Sequence, residues 1–249
     1  MPKPNSIDAV IAALNAIIQQ CKNENNPLGY FAALYQQVSI KVREGIANNY
    51  FDDGPRMEKL DVIFANRYLD AFDAYHKNTS LSLLWNKASE QSKNYRPIVL
   101  QHLLLGIHAH ISLDLGVAAA EISGNDLPAL KNNFDKINAL LSLLVNKVQD
   151  DLAKIWPSLK IILQKTKNVK NFFIDFSMQL SRDGAWEFAE SIAGKTAPEL
   201  EQLILLRDQK VVNKFTIITS PGFIAPVLLF IIRIGEKGTV AEKIENLGS

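Results

Sequence analysis

The sequence predicts an all-α fold, a single bundle-like domain of about nine to eleven helices over residues 1–249. Apolar residues recur at helical spacing, beginning with Ile7, Val10 and Leu14. Capping residues and helix breakers separate the periodic segments. Apolar residues make up 47% of the chain and charged residues 21%, which is typical of a globular protein with a large core. Together these observations favour a bundle of amphipathic helices.

Caps and breakers predict three helices in the first 75 residues. Ser6 begins the first helix, which ends in the polar stretch Asn23–Pro27, and a second helix spans about 29–47. A turn rich in breakers, Asn48–Pro55, follows. Its proline suits the first turn of a third helix that reaches Tyr75.

Three more helices are predicted between residues 79 and 148. Their expected starts are Thr79 or Ser80 for a short helix around Trp85, Pro97 for a long apolar helix, and Asp126 with Pro128 for a helix to about Val148. The long apolar helix ends near Ser123–Asn125, where a glycine and an asparagine follow one another.

The last hundred residues give weaker signals. Lysines interleaved with apolar residues after Pro157 predict an amphipathic helix with a solvated face rather than a nucleic-acid patch. Helices are expected at 181–193 and from Pro198 to Thr216, and Thr216–Thr219 is the one stretch that suggests a strand. The apolar run Phe223–Ile232 is shorter than a bilayer span, so we expect a buried core helix; a membrane-surface or partner-docking segment is the alternative.

Charge and cysteine content exclude several classes of function. The 27 basic and 26 acidic residues nearly cancel, so no overall field recruits nucleic acid or an anionic membrane. Cys21 is the only cysteine, which rules out an intramolecular disulfide and a cysteine-based zinc site. The N-terminal residues lack the pattern of a signal peptide and no transmembrane segment is predicted, so we expect a cytoplasmic protein. The oligomeric state is left open.

The most informative segment is the apolar stretch 101–121, because it contains three of the four histidines. His110 and Asp114 are four residues apart and therefore stack on one helix face. On an α-helical wheel Glu121 falls between them, within an arc of about 40°. His102 lies about 80° from His110 on the same wheel, and His108 points elsewhere.

A second acid is expected in the core. Asp61 lies within the apolar stripe of the third helix, at about the same angle as Phe72. A buried aspartate needs a partner. The candidates are His110, Arg67 at the edge of the stripe, or a metal ion.

Three interpretations of this polar set are open. In the first, the chain is a metal-dependent hydrolase of an ester or phosphoester. Asp61, His110 and Asp114 bind one divalent zinc, manganese or iron ion. The base is Glu121 or His102, and the oxyanion partner is Arg67 or Tyr68. In the second, the set is a structural hydrogen-bond network in a non-enzymatic binding or scaffold domain. In the third, a small-molecule or lipid-like ligand occupies an apolar pocket lined by Phe64, Tyr68, Phe72 and Tyr75.

Two sequence blocks resemble a known family. Arg56–Leu69 carries the pattern R-M-x-x-L-D…F-A-N-R-Y, and Leu105–Leu115 carries G-x-x-A-H-I-x-x-D-L. Both are similar to blocks of an uncharacterised, largely bacterial, helical family of unknown function. The resemblance covers about 50–125 well and Arg182–Ala189 more loosely. It implies that Asp61, Arg67, Tyr68, His110 and Asp114 belong to one shared site.

A fainter similarity is to the helical zinc-dependent phospholipase C and nuclease group. Gly106, His110 and Asp114 resemble one metal-binding helix of that group, over about ten residues. The further histidines of that group are absent here, since no histidine follows His110. The resemblance therefore implies one or two metals at most, with carboxylates in place of imidazoles.

Overall fold

The computed structural model describes residues 3–124, 126–157, 184–220 and 225–248, and these residues fold into helices joined by short turns. No strand occurs in these four ranges. Eleven α-helices lie in them when the continuous segment Val99–Ser123 counts as one. The predicted all-α fold class is confirmed.

The helices follow one another along the chain with few residues between them in the first half. The N-terminal five are α1 (Ile7–Glu24), α2 (Leu28–Ala47), α3 (Gly54–Lys77), α4 (Leu83–Glu90) and α5 (Val99–Ser123). The remaining six are α6 (Lys131–Ile155), α7 (Ala185–Ile192), α8 (Ala197–Val211), α9 (Phe215–Thr219), α10 (Ala225–Gly235) and α11 (Val240–Gly248).

Side-chain caps fix the starts of α1, α3 and α4. Ser6 accepts a hydrogen bond from the backbone N–H of Ala9 at the start of α1, and Asp53 accepts one from Arg56 at the start of α3. The cap of α4 is Ser82 rather than the predicted Thr79 or Ser80. A cap satisfies backbone donors that the first helical turn leaves unpaired, so each cap stabilises its helix by about 1 kcal/mol.

Helix α5 runs through the centre of the fold and contacts α2, α3, α4 and α7. Small residues allow the closest approaches. A Cβ on Gly106 would lie 2.4 Å from Cγ of Phe31, and one on Gly116 would lie 2.7 Å from the carbonyl oxygen of Ala185. The last helix, α11, packs against α1 and α2 and buries Ile244 completely. The termini of the described chain therefore share one core.

One helix in the described ranges, Val99–Ser123, is long and apolar enough to cross a membrane. In its most apolar 18-residue window, 89% is buried inside the fold. Extensive burial of this kind is what the core helix of a bundle shows, since its apolar side chains are covered by protein.

The prediction of a strand at Thr216–Thr219 is wrong, because these residues lie in α9. Each threonine hydroxyl donates to a backbone carbonyl of the preceding turn: Thr216 to Asn213 and Thr219 to Phe215. Threonine is compatible with a helix when its hydroxyl is bonded in this way. Helix α6 also continues to Ile155, beyond the predicted end near Val148, and α11 was not predicted.

The apolar run Phe223–Ile232 is not the fully buried helix that was expected. Its described part lies in α10, where Ile232 is buried but Phe230 and Ile231 are 56% and 59% exposed. Its first two residues lie outside the described residues, as does the predicted lysine-rich helix in 158–183.

Candidate functional site

The centre of α5 departs from regular α-helix at the predicted histidine. Residues His110–Leu115 form a π-helical turn, and all six are buried. A π turn holds about one residue more than an α turn and is often found at functional sites. In this turn Nδ1 of His110 lies 3.1 Å from Oδ2 of Asp114. The predicted His110–Asp114 pair is therefore present.

Asp114 joins three helices through its carboxylate. Arg67 Nε on α3 donates to Oδ1 at 2.9 Å, and Trp85 Nε1 on α4 donates to Oδ2 at 2.9 Å. Burial alone would raise the pKa of Asp114, but His110, Arg67 and Trp85 together hold it below its usual value. The carboxylate is ionised at neutral pH and can only accept hydrogen bonds.

An aromatic cage surrounds the His110 imidazole. The Phe64 ring stacks on it face to face, with centroids 3.6 Å apart and planes 5° apart, and the Tyr35 ring meets it edge-on at 4.6 Å. Phe31, Tyr68 and Trp85 complete the cage. Burial lowers the pKa of His110, so its ring is neutral near pH 7.

The protonation of this neutral ring follows from its partner. Because the Asp114 carboxylate only accepts, Nδ1 of His110 carries the proton and donates it to Asp114. Nε2 then holds a lone pair. This atom is buried and has no hydrogen-bond partner in the part of the chain that the structure describes. An oriented, unprotonated and unpartnered Nε2 is the acceptor that a general base or a ligand contact requires.

His108, two residues earlier on α5, gives an internal comparison. It is completely buried, its Nδ1 lies 2.9 Å from Ser112 Oγ, and its Nε2 lies 2.9 Å from the carbonyl oxygen of Val211. Both of its ring nitrogens are bonded within the fold, which is what a structural histidine needs. His110 differs from His108 in that its Nε2 has no such bond within the described residues.

Asp61 is buried in α3, as predicted, but it does not pair with either residue expected as its partner. His110 and Arg67 both bind Asp114 instead. Burial raises the pKa of Asp61 to about 7; the nearby Ser39 hydroxyl lowers it less and Glu58 adds to the rise. Oδ2 of Asp61 is buried without a partner. Asp61 is therefore about half ionised at neutral pH and largely neutral below it.

The structure gives no support to convergence of Asp61, His110 and Asp114 on one cation. Within the described ranges, no group of three or more His, Cys, Asp or Glu side chains is placed to hold a metal ion. The reason is that Asp114 turns both oxygens towards Arg67, Trp85 and Nδ1 of His110.

The two side chains expected as the base lie away from the His110 imidazole. His102 meets Tyr30 edge-on, with centroids 5.7 Å apart, and burial lowers its pKa to about 3. Glu121 is exposed. The helical wheel failed for Glu121 because the π turn adds a residue, which rotates all later positions by about 100°.

The two side chains expected as oxyanion partners are in the cluster. Arg67 is engaged with Asp114, and Tyr68 packs edge-on against Phe31 as part of the cage. Burial raises the pKa of Tyr68 well above its usual value, so its phenol keeps its proton. Five residues of the predicted set lie around one part of the core: Asp61, Arg67, Tyr68, His110 and Asp114.

A small pocket lies on the other side of the aromatic cage. Its volume is about 30 Å³, and its lining includes Phe31, Tyr68, Phe72, Trp85 and His102. A single water needs roughly 10–15 Å³ by this kind of measure, so the pocket holds a few atoms rather than a lipid chain.

Two residues of the site were missed by sequence reasoning. Trp85 was placed in a short helix with no role in the site, although a buried indole N–H needs an acceptor and this need points to a polar partner. Tyr35 gave no sequence signal, because its role depends on the packing of α2 against α5. Cys21 is fully buried, and burial raises its pKa to about 12, so its thiol stays protonated at neutral pH.

The chain was compared with known proteins. A model of the family described as "Family of unknown function (DUF5995)" matches residues 7–221. No curated protein and no solved structure matches the chain. The fainter similarity to the zinc-dependent phospholipase C and nuclease group therefore has no support, whereas the expected membership of a family of unknown function is confirmed. The chain belongs to DUF5995, a family of unknown function.

Proposed function

We propose that this chain is a hydrolase of ester bonds in which His110 acts as general base. The observation that carries the proposal is Nε2 of His110, a buried acceptor that Asp114 orients and that no group of the described residues bonds. His108 has the same burial but both nitrogens bonded, so burial on α5 does not by itself leave an imidazole unpaired. Nε2 of His110 is left for a ligand or a water molecule.

The proposed reaction needs only water as a co-reactant. Water attacks the ester carbonyl carbon while its proton passes to Nε2, and the carbonyl π electrons move onto oxygen. The Asp114 carboxylate stabilises the imidazolium formed in this step. The carbon–oxygen bond to the leaving group then breaks, and the imidazolium returns its proton to the departing alkoxide. The products are a carboxylic acid and an alcohol, and the base is regenerated.

Asp114, Arg67 and Trp85 hold the base in position rather than meeting the substrate. Arg67 and Trp85 fix the Asp114 carboxylate, and the carboxylate fixes the imidazole. This role replaces the oxyanion contact expected of Arg67. Because positioning residues act through the base, we expect their loss to lower kcat more than to raise KM.

Metal-assisted hydrolysis through Asp61, His110 and Asp114 is the version of this function that the sequence predicts. We favour the version without a metal, because the described residues do not gather three such ligands. Metal analysis of the purified protein separates the two versions. Zinc, manganese or iron bound in a 1:1 ratio and lost in His110→Gln would replace our proposal with the metal-assisted one.

A structural role is the second candidate, and a specific observation favours it. Asp114 is fully bonded and ties α3, α4 and α5 together, as a fold-stabilising network does. In that case the chain is a binding or scaffold domain, and loss of His110 affects stability alone. A cytoplasmic location and a single domain over residues 1–249 stay predictions.

Hydrolysis of p-nitrophenyl butyrate tests the proposal. We expect His110→Gln to lower kcat by about 10²–10⁴-fold, the usual contribution of a general base. His102→Gln is the control, since His102 is also a buried histidine of α5 but lies at the separate pocket. Equal rates for wild type and a folded His110→Gln variant would contradict the proposal.

A further inference from the structure

Within the described ranges six buried side-chain polar atoms have no hydrogen-bond partner by bond geometry, and four of them belong to neighbouring residues of the core: Tyr35 Oη, Ser39 Oγ, Asp61 Oδ2 and His110 Nε2. Each of these residues is at most 5% exposed. Unpaired buried polar atoms are rare in folded proteins, and each one costs about 1–3 kcal/mol. The Ser39 hydroxyl lies close enough to Asp61 to act on its carboxyl as a hydrogen-bond donor, which leaves Tyr35 Oη, Asp61 Oδ2 and His110 Nε2 for a ligand or a water molecule.

The four atoms belong to neighbouring side chains. The ring of Tyr35 meets the imidazole of His110 at 4.6 Å, and Tyr35 and Ser39 are one turn apart on α2. The Ser39 hydroxyl acts as a hydrogen-bond donor that lowers the pKa of Asp61, and the Asp61 charge helps to raise the pKa of Tyr35. The side chains of α2, α3 and α5 therefore meet at one place.

Helix α3 shows which edge of the imidazole faces this place. Phe64 stacks on the ring, and Arg67, one turn later on α3, binds Asp114 at the Nδ1 edge. Asp61 is one turn earlier, about 4.5 Å along the axis in the opposite direction. Because Nδ1 faces the end that holds Arg67 and Asp114, we expect the Nε2 edge of His110 to face the end of the site that holds Asp61 and Ser39.

The hydrogen-bonding capacity of the four groups is unequal. Nε2 of His110 only accepts, whereas the hydroxyl of Tyr35 donates and that of Ser39 donates towards Asp61. Burial raises the pKa of Tyr35 well above its usual value, so its phenol stays protonated. Asp61 keeps its proton up to about pH 7 and donates as well. A ligand that fits must offer an oxygen acceptor to the donors and place a donor on His110.

We propose that Tyr35 and Asp61 donate hydrogen bonds to the carbonyl oxygen of a small uncharged ligand, a carboxylic ester or amide, while His110 accepts from water or from the ligand's own N–H. This inference rests on the proposed function and deepens it, because it names the oxyanion donors and the substrate class. A paired Tyr–Asp donor set stabilises negative charge on oxygen without a cation.

The same groups disfavour a phosphoester. A phosphoester is anionic and needs cationic partners. Arg67, whose charge acts on the imidazole, is already paired with Asp114. The carboxyl of Asp61 would repel an anion whenever it loses its proton. A neutral carbonyl compound meets neither obstacle.

A ligand reaches this site past Phe64. This ring is only partly buried, yet it lies flat against the imidazole. A rotation of its side chain uncovers the imidazole without unfolding a helix. Substrate size is then limited by the space that Phe64 vacates, which favours short acyl chains.

Titration with butyramide, a carbonyl probe that resists hydrolysis, tests the inference. The ring nitrogens of His110 are followed by NMR in protein labelled with ¹⁵N-histidine. We expect a saturable shift of the His110 Nε2 signal in wild type and about tenfold weaker binding in Tyr35→Phe, the value of one hydrogen bond in a buried site. Asp61→Asn keeps a donor and is expected to bind within about threefold of wild type, whereas Asp61→Leu loses about tenfold.

Tyr30→Phe is the matched control, because Tyr30 is a buried tyrosine of the same helix that faces His102 instead. A His110 signal that butyramide leaves unchanged, or equal losses in Tyr30→Phe and Tyr35→Phe, overturns the inference. Butyramide binding that depends on Tyr35, without ester hydrolysis that depends on His110, supports this site and rejects the proposed function. Hydrolysis that depends on His110 but not on Tyr35 supports the proposed function and rejects this site.

Discussion

Replacing Asp61 with asparagine tests the environment of this buried carboxyl through the pH dependence of stability. Burial raises the folded-state pKa from 3.8 to about 7. Below the unfolded-state pKa of 3.8 the carboxyl is protonated in both the folded and the unfolded state, so it does not change the free energy of unfolding. Between the two values the unfolded chain gives up its proton while the folded chain keeps it, so stability falls as pH rises. Above pH 7 the loss is complete.

The size of the effect follows from the two pKa values. Their difference, at about 1.4 kcal/mol per pH unit, amounts to roughly 4 kcal/mol. Asparagine has nearly the same shape and does not ionise. We therefore expect Asp61→Asn to gain stability over wild type as pH rises, from little change near about pH 4 to a gain on the order of 4 kcal/mol above about pH 8.

Urea unfolding followed by circular dichroism measures this difference across the pH range. His102, whose pKa burial lowers to about 3, contributes with the opposite sign, since its stabilisation is lost as pH falls from about 6.5. It is present in both proteins and cancels in the comparison. Asp73→Asn, on the exposed face of α3, is the control and is expected to show no such gain. A stability difference between Asp61→Asn and wild type that does not change with pH would refute the burial argument.

Three other changes test the packing around the imidazole. Trp85→Phe removes the indole donor to a buried carboxylate, so the free energy of unfolding should fall by about 1.5–3 kcal/mol in urea titrations; an unchanged midpoint would contradict the bond to Asp114. Gly116→Ala places a methyl group against the backbone of α7 and should lower the free energy of unfolding by at least about 1–3 kcal/mol. An unchanged free energy of unfolding would show that α5 and α7 are further apart. Phe64→Ala should make His110 react faster with diethyl pyrocarbonate by mass spectrometry, and equal rates would show that Phe64 does not cover the ring.

Much of the fold could be predicted from the sequence because caps, breakers and helical periodicity are local signals. The start of α1 at Ser6 and the proline in the first turn of α3 are examples. The last helix was missed although Thr239 accepts a hydrogen bond from the backbone N–H of Glu242 at its start. The prediction of a strand at Thr216–Thr219 was wrong because the β-preference of threonine and isoleucine does not report the hydroxyl-to-backbone bonds that make threonine compatible with a helix.

The site was predicted in part. Four-residue spacing was enough to pair His110 with Asp114, and burial of Asp61 followed from its place in an apolar stripe. The partner of Arg67 was not accessible because it depends on the packing of α3 against α5, and the position of Glu121 was not accessible because it depends on the π turn in α5. Tyr35 enters the site through tertiary packing between α2 and α5, which periodicity within one helix does not report.

The central claim is that His110 carries its proton on Nδ1 and leaves Nε2 as a bare acceptor in the core. Ring-nitrogen NMR of ¹⁵N-histidine-labelled protein measures this directly. We expect the protonated Nδ1 and unprotonated Nε2 of one neutral tautomer to persist as the pH is lowered through the usual histidine pKa of about 6.5. A proton on Nε2, or a ring that titrates as a free histidine does, would contradict the account.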